Sequence, residues 1–238
     1  GSGARSSMIA ARSSFLLIFF LATAGVGIGA DYFVAPQGND AHPGTEDRPW
    51  RTLANSSASV QTGDTVRIRS GDYLEKSGWN VTRAGTADRP ITYRAYGDGE
   101  VRLTPSWVIP PGAWTRKKGA IYSTQVEQRP AYVFRNGYAV QPPGDRAKIF
   151  SVDDLFPNSS YVDGTTLYVW LEDGSDPNRS VMRATASHVV NLRDCHYTIF
   201  DGLTLEYGFN GFKEQGGSTH HVTYRNCTLR SITVRRGS

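Results

Sequence analysis

The chain has 238 residues and a formal net charge of +4, from 26 basic and 22 acidic side chains. Residues 1–30 contain Arg5 and Arg12 and no acid, so the 208 residues that follow carry only +2; without a long basic run or aromatic-basic alternation, the charge does not argue for nucleic-acid binding, and no nucleic-acid partner is expected. The 25 glycines and 12 prolines suit a turn-rich all-β chain forming one elongated domain.

Arg5 and Arg12 precede the apolar run Phe15–Leu21, and small residues follow as far as Ala30. That is the order of a secretory signal peptide, with Met8 as its start and cleavage expected after Ala30. The run is too short for a bilayer span, which takes about 20 apolar residues. A secreted or periplasmic protein with no stable membrane span is expected. From Asp31 the chain turns polar. Tyr32–Ala35 reads as a short strand, followed by a loop of turn formers: Pro36, Gly38, Asn39, Asp40, Pro43 and Gly44. Trp50, Leu53 and Val60 have the spacing of one helical face, across a stretch whose Ser56, Ser57 and Ser59 lower helix propensity. A Gly63-Asp64 turn, the alternating strand Thr65–Arg69 and a Gly71 turn returning Tyr73 and Leu74 complete one stackable rung.

Gly38-Asn-Asp, Pro43-Gly-Thr45, Arg48-Pro-Trp-Arg-Thr-Leu53, Gly63-Asp-Thr-Val66 and Ser70-Gly-Asp-Tyr73 occur in that order. Together they resemble the N-terminal cap of secreted right-handed parallel β-helix proteins, the kind found in pectate or polysaccharide lyase-like and glycoside hydrolase-like chains. The resemblance implies a solenoid closed at one end by a short cap helix. It implies a scaffold, not a reaction. Family lyases use a lysine or arginine as base, often with calcium-bound carboxylates, so calcium enters through the resemblance alone and the residues themselves suggest no cofactor. Polysaccharide, acidic in the lyase case, is the implied partner, and a monomer is expected.

Ile91–Ala95 repeats the alternation of Val66 and Ile68 after the turn Gly85–Pro90, and Val101–Leu103 reads as the next strand. The pattern then breaks. Pro105, Trp107, Pro110, Pro111 and Trp114 open a different segment, with strands expected at Ala120–Ser123, Ala131–Arg135 and Thr166–Leu171. Tyr161–Trp170 signals a hairpin turning at Asp163-Gly164. Glu172–Asp176 fails the calcium-loop spacing and reads as a surface turn ended by Pro177, and adjacent Asp153 and Asp154 read as a solvated loop.

The coil returns at His188–Leu192, and an internal repeat follows. Thr198–Glu206 aligns with Val222–Arg230 at a constant offset of 24 residues, matching Phe200 to Tyr224, Leu203 to Cys227, Leu205 to Leu229 and Gly202 to Asn226. A repeat of this period means a stacked solenoid. The alignment sets Asp201 beside Arg225 and Glu206 beside Arg230, all four pointing outward. The organisation expected is upstream residues and signal peptide at 1–30, cap and first coils at 31–104, an inserted small β-rich module at 105–180 and further coils at 181–238. The fold class is all-β, a right-handed parallel β-helix. Cys227 falls at an inward position and Cys195 in a turn, so the two face different places and a buried free thiol is expected at Cys227. Five Asn-x-Ser/Thr sequons occur, but Asn226 sits in a turn stack where a glycan would block the next coil.

No nucleophile elbow, phosphate loop or zinc motif occurs, so chemistry is sought on the outward columns. The most polar coil segment is Gly208–His221. Its Lys213 and Glu214 are the candidate catalytic residues, and His220, His221 and Arg225 the candidate substrate-binding ones. No metal ligands are assigned. Because solenoids need caps at both ends, a stack ending at Ser238 is expected to be the C-terminally truncated N-terminal part of a longer protein, its site incomplete. Two functions fit: an exported polysaccharide lyase or glycoside hydrolase, or a non-catalytic surface or glycan-binding β-helix. An arginine or lysine with nearby acids in one outward column favours the enzyme; aromatic columns alone favour binding.

Overall fold

The computed structural model describes residues 29–140 and 149–233. The expected signal peptide, Phe15–Leu21 included, lies outside the described residues. Among those described, no helix is long and apolar enough to cross a membrane.

Strand β1 (Asp31–Val34) leads through the turn-rich loop to helix α1 (Leu53–Ser59). Trp50 precedes the helix: its backbone bridges Val34, its ring stacks on Tyr32 at 4.6 Å and its indole N–H donates to the His42 carbonyl. The helix starts later because Thr52 is extended and caps it, its hydroxyl accepting from the Asn55 amide at 3.1 Å. The serines that weaken the helix also satisfy it. Buried Ser56 donates to the Leu53 carbonyl, and buried Ser57 donates to the Asn80 carbonyl on the first coil, tying cap to solenoid.

The first coil runs β2 (Thr65–Ile68), β3 (Gly71–Leu74) and β4 (Trp79–Val81); the second begins with β5 (Ile91–Ala95) and β6 (Val101–Thr104). There the coil is interrupted. Strands β7 (Trp107–Ile109), β8 (Thr115–Lys118), β9 (Ile121–Gln125), β10 (Tyr132–Arg135), β11 (Tyr138–Val140), β12 (Ser159–Asp163), β13 (Thr166–Trp170) and β14 (Met182–Thr185) make two antiparallel sheets, ordered β11-β10-β14-β7 and β12-β13-β9-β8. The second coil finishes only at β15 (Val190–Arg193). The third is β16 (His196–Asp201), β17 (Leu203–Glu206) and β18 (Phe212–Gln215), and β19 (His220–Arg225) and β20 (Thr228–Arg230) start a fourth. The coils stack into three parallel sheets: sheet 1 is β1-β2-β5-β16-β19, sheet 2 is β3-β6-β17-β20 and sheet 3 is β4-β15-β18.

The 24-residue register holds in sheets 1 and 2, with Phe200 opposite Tyr224, Asp201 opposite Arg225, Leu205 opposite Leu229 and Glu206 opposite Arg230. Inward rings form a column: Tyr93 stacks on Phe200 at 5.5 Å, Phe200 on Tyr224 at 5.9 Å, and Trp79 meets both Tyr93 and Phe200 edge-on. Offset and T-shaped pairs add to burial because ring edges are positive and faces negative.

Gly202 and Asn226 hold the equivalent corner of successive coils in left-handed conformations, φ 75° and 53°. A Cβ at Gly202 would lie 3.1 Å from the Ala95 Cβ. Gly202→Ala is therefore expected to cost about 1–2 kcal/mol, read as a lower urea midpoint at unchanged slope.

Three expectations need correcting. Asp163 pairs with Thr166, so the hairpin turns on Gly164 and Thr165. Cys195, read as a turn residue, is fully buried in the solenoid core, its thiol pushed up to about 11 by desolvation, whereas Cys227 is half-buried at the upper end of the stack; both are free. Asp154 is no idle loop acid: its carboxylate accepts from the Phe150 and Ser151 amides and the Ser151 hydroxyl, closing a 3-10 turn, while Asp153 pairs with Lys118.

The antiparallel module has its own core, including Tyr122, Val133, Leu167, Val169 and Met182. Strand β10 joins it to the solenoid. Val133 faces the module core, while Phe134 meets Tyr207 edge-on at 5.3 Å and Tyr132 meets Phe209 at 5.4 Å. Strand alternation thus buries β10 on both faces.

Candidate functional site

Outward positions of sheet 1 place Arg67, Arg94, Asp201 and Arg225 in register on four successive strands. Neighbouring strands lie about 4.8 Å apart, so this is one continuous file of charge. Arg67 is engaged by Asp31 at 2.9 Å. Asp201 takes Arg225 Nε at 3.1 Å on one oxygen and Asn226 Nδ2 at 2.8 Å on the other. Arg94 is exposed and, among the described residues, makes no ion pair.

The Asp201 carboxyl is held below the usual carboxylate range, first by the Asn226 hydrogen bond and then, against the opposing effect of burial, by the charges of Arg225 and Arg94. It stays ionised at neutral pH and orients Arg225; it has no proton to donate there. A depressed folded-state pKa gives stability that is present above the unfolded value and lost as pH falls through the folded one. Acid titration of unfolding is expected to show this loss beginning below about pH 4 and to be shallower in Asp201→Asn.

The residues nominated from sequence do not gather at one point. Arg225 is in the sheet 1 file. Lys213 and Glu214, adjacent on β18, alternate to opposite sides: Lys213 is opposite Asn191 on the outward side, and Glu214 is opposite Leu192 on the inward side. The Glu214 carboxylate accepts from the inward Tyr224 hydroxyl at 2.6 Å. His220 and His221 occupy the corner between sheets 3 and 1. His220 stacks on His196 at 4.8 Å, His221 on Tyr197 at 4.7 Å, and their Nδ1 atoms lie 2.7 Å apart, a contact that admits one proton. Desolvation by the stacked rings, with the charges of the neighbouring His196 and His221, lowers the pKa of the exposed His220.

Sheet 2 carries a second charged group. Arg102 bridges Asp72 at 2.5 Å and Glu100 at 3.2 Å, and Arg230 joins Glu100 to Glu206, the latter at 3.2 Å. The expected Glu206–Arg230 pair therefore forms part of a network, and both acids of the repeat are mostly covered, Asp201 at 12% and Glu206 at 16% side-chain exposure. Sequence reasoning missed Arg94 and Glu100. Arg67 and Arg94 follow Val66 and Tyr93 at the same strand phase, which was a legible signal; Glu100 sits in a corner that no repeat marks. Among the described residues, no three His, Cys, Asp or Glu side chains are placed to hold a metal.

The Pel9A-like, right handed β-helix region matches residues 32–108. Over 78 residues the chain is 41% identical to the uncharacterized protein YwoF of Bacillus subtilis, covering 33% of this chain and 16% of that one. It is 36% identical over 73 residues to the pectate lyase PEL9 of Emericella nidulans, covering 31% and 18% respectively. The matched stretch thus spans less than a fifth of either relative. XylC, solved in complex with xylose, superposes at a TM-score of 0.57 with 20% identity over 74% of this chain and 35% of its own. A glycoside hydrolase superposes at 0.54 with 13% identity over 76% and 51%. Both show the fold alone. Residues 32–108, the cap and the start of the coil stack, are thus similar to a Pel9A-like right-handed β-helix region, in a chain whose three parallel sheets form a right-handed β-helix.

Proposed function

We propose that the protein is exported and acts on extracellular polysaccharide as a lyase or glycoside hydrolase, with the outer face of sheet 1 as its glycan-binding track. The observation that carries this is the file Arg67–Arg94–Asp201–Arg225, in which Arg94 is unpaired and a neighbouring acid fixes Arg225. An exposed guanidinium offers paired N–H donors to a carboxylate, so the file suits an acidic glycan. The pectate lyase among the relatives supports the same substrate class. Lys213 on the adjoining face, with His220 and His221 at the corner between, flanks the track where a long chain would cross. Glu214 lies on the other side of β18 from Lys213, against the Tyr224 hydroxyl, and stands outside the track. A monomer suffices for such a track.

Affinity electrophoresis in polygalacturonate tests the reading. Arg94→Ala is expected to weaken retardation at least tenfold, about 1.4 kcal/mol, and rising salt to weaken the wild type in parallel. Unchanged retardation in Arg94→Ala would dismiss the track. Release of unsaturated or reducing ends by the purified chain separates an enzyme from the second reading, a glycan-binding β-helix, which would retard without turnover.

A further inference from the structure

A second cleft, of about 800 Å³, opens where the module meets the solenoid. One wall is the β10–β11 hairpin, turning at Asn136 and Gly137; the other is the corner following β17 and β20, from Tyr207 and from Ser231 to Thr233. The hairpin tip touches the corner closely: a Cβ on Gly137, whose φ is 90°, would come within 3.3 Å of the Ser231 hydroxyl.

Three features make this more than a seam. Tyr138 stands at the rim with 82% of its surface exposed. Tyr207, in the opposite wall, is held left-handed at φ 55°, an outlier for a bulky side chain, with Phe134 against its edge and Arg183 over its face at 4.8 Å. The lining also offers the Asn136 amide and the half-buried Ser231 hydroxyl as polar groups.

The lining contains no charged side chain. The charges lie one residue earlier on each strand, where Glu206 and Arg230 neutralise one another. A cleft of this size with an aromatic rim, scattered hydroxyl and amide groups and no charge selects a neutral polyhydroxylated ring. We propose that it binds a neutral pyranose unit of a glycan, with Tyr138 stacking on the ring and Ser231 hydrogen-bonding a sugar hydroxyl. The inference rests on the glycan-directed reading above but uses a different surface from the arginine file.

Saturation-transfer NMR on the full chain with xylotetraose, cellotetraose and tetragalacturonate tests it. A neutral tetrasaccharide is expected to bind, with at least tenfold loss in Tyr138→Ala. Ser231→Gly, which keeps the left-handed backbone at φ 49° unstrained, is expected to weaken binding several-fold. Neutral sugars that fail to bind, or that bind Tyr138→Ala and Ser231→Gly as they bind the wild type, overturn the inference. Tetragalacturonate binding lost only in Arg94→Ala reports separately on the track, so either proposal can fall while the other stands.

Discussion

Trp79→Ala is expected to remove about 3–5 kcal/mol of folding stability, enough to unfold much of the population under mild denaturant. The indole is fully buried where the three sheets face one another, edge-on to Tyr93 and Phe200. Those two rings belong to different coils separated in sequence by the whole module, so the cavity would loosen the stack where the chain is least able to close it locally. Trp79→Phe should keep most of the stability. Among the described residues the indole N–H has no hydrogen-bond partner, so the smaller ring loses packing but no bond. Urea unfolding of the two variants checks the contrast; an alanine variant within about 1 kcal/mol of wild type would mean that the aromatic column is not the core of the fold.

The second large effect is expected at Phe134→Ala. Phe134 is 1% exposed, yet it belongs to neither hydrophobic core; it sits at the seam, against Tyr207. Truncating it should cost about 3–5 kcal/mol, most of it from docking of the module on the coils. Hydrogen exchange distinguishes this from ordinary core damage: amides of β10 and β14 should exchange faster while those of β2 and β5 keep their protection. Uniform acceleration across both regions would show one cooperative unit and refute the seam.

Much of this architecture was legible because a solenoid writes its register into the chain. Phe200 and Tyr224 are 24 residues apart and lie on neighbouring strands, so counting sufficed. The same counting could not reach from Arg94 to Asp201, which are also neighbours, because the module lies between them. Arg225 was found from its pairing with Asp201, and Arg94 was not. The inward phase of Glu214 was hidden for a different reason. Phe212 alone marks the inward phase of β18, and a carboxylate two positions on contradicts the apolar rule that phase is read by; only the Tyr224 hydroxyl explains it. In the same way Cys195 lies between strands, where sequence suggests a turn on the surface, yet its side chain enters the core. Turn residues declare their backbone in the sequence, not the direction of their side chains.

The interruption of the second coil also bears on how the chain reaches this state. Val101 pairs with Leu203, a contact whose closure costs entropy that grows with the intervening length and slows folding. The module removes most of that length. Its first and last strands are hydrogen-bonded neighbours, with Trp107 opposite Ala184, so once its hairpins form, the two loose ends of the coil emerge side by side. The antiparallel sheets can assemble from contacts nearer in sequence, and the solenoid then closes over a gap of a few residues on each side. In kinetic terms the module is a splint, and mutations that slow its hairpins should delay the pairing of β6 with β17 without weakening that pairing at equilibrium.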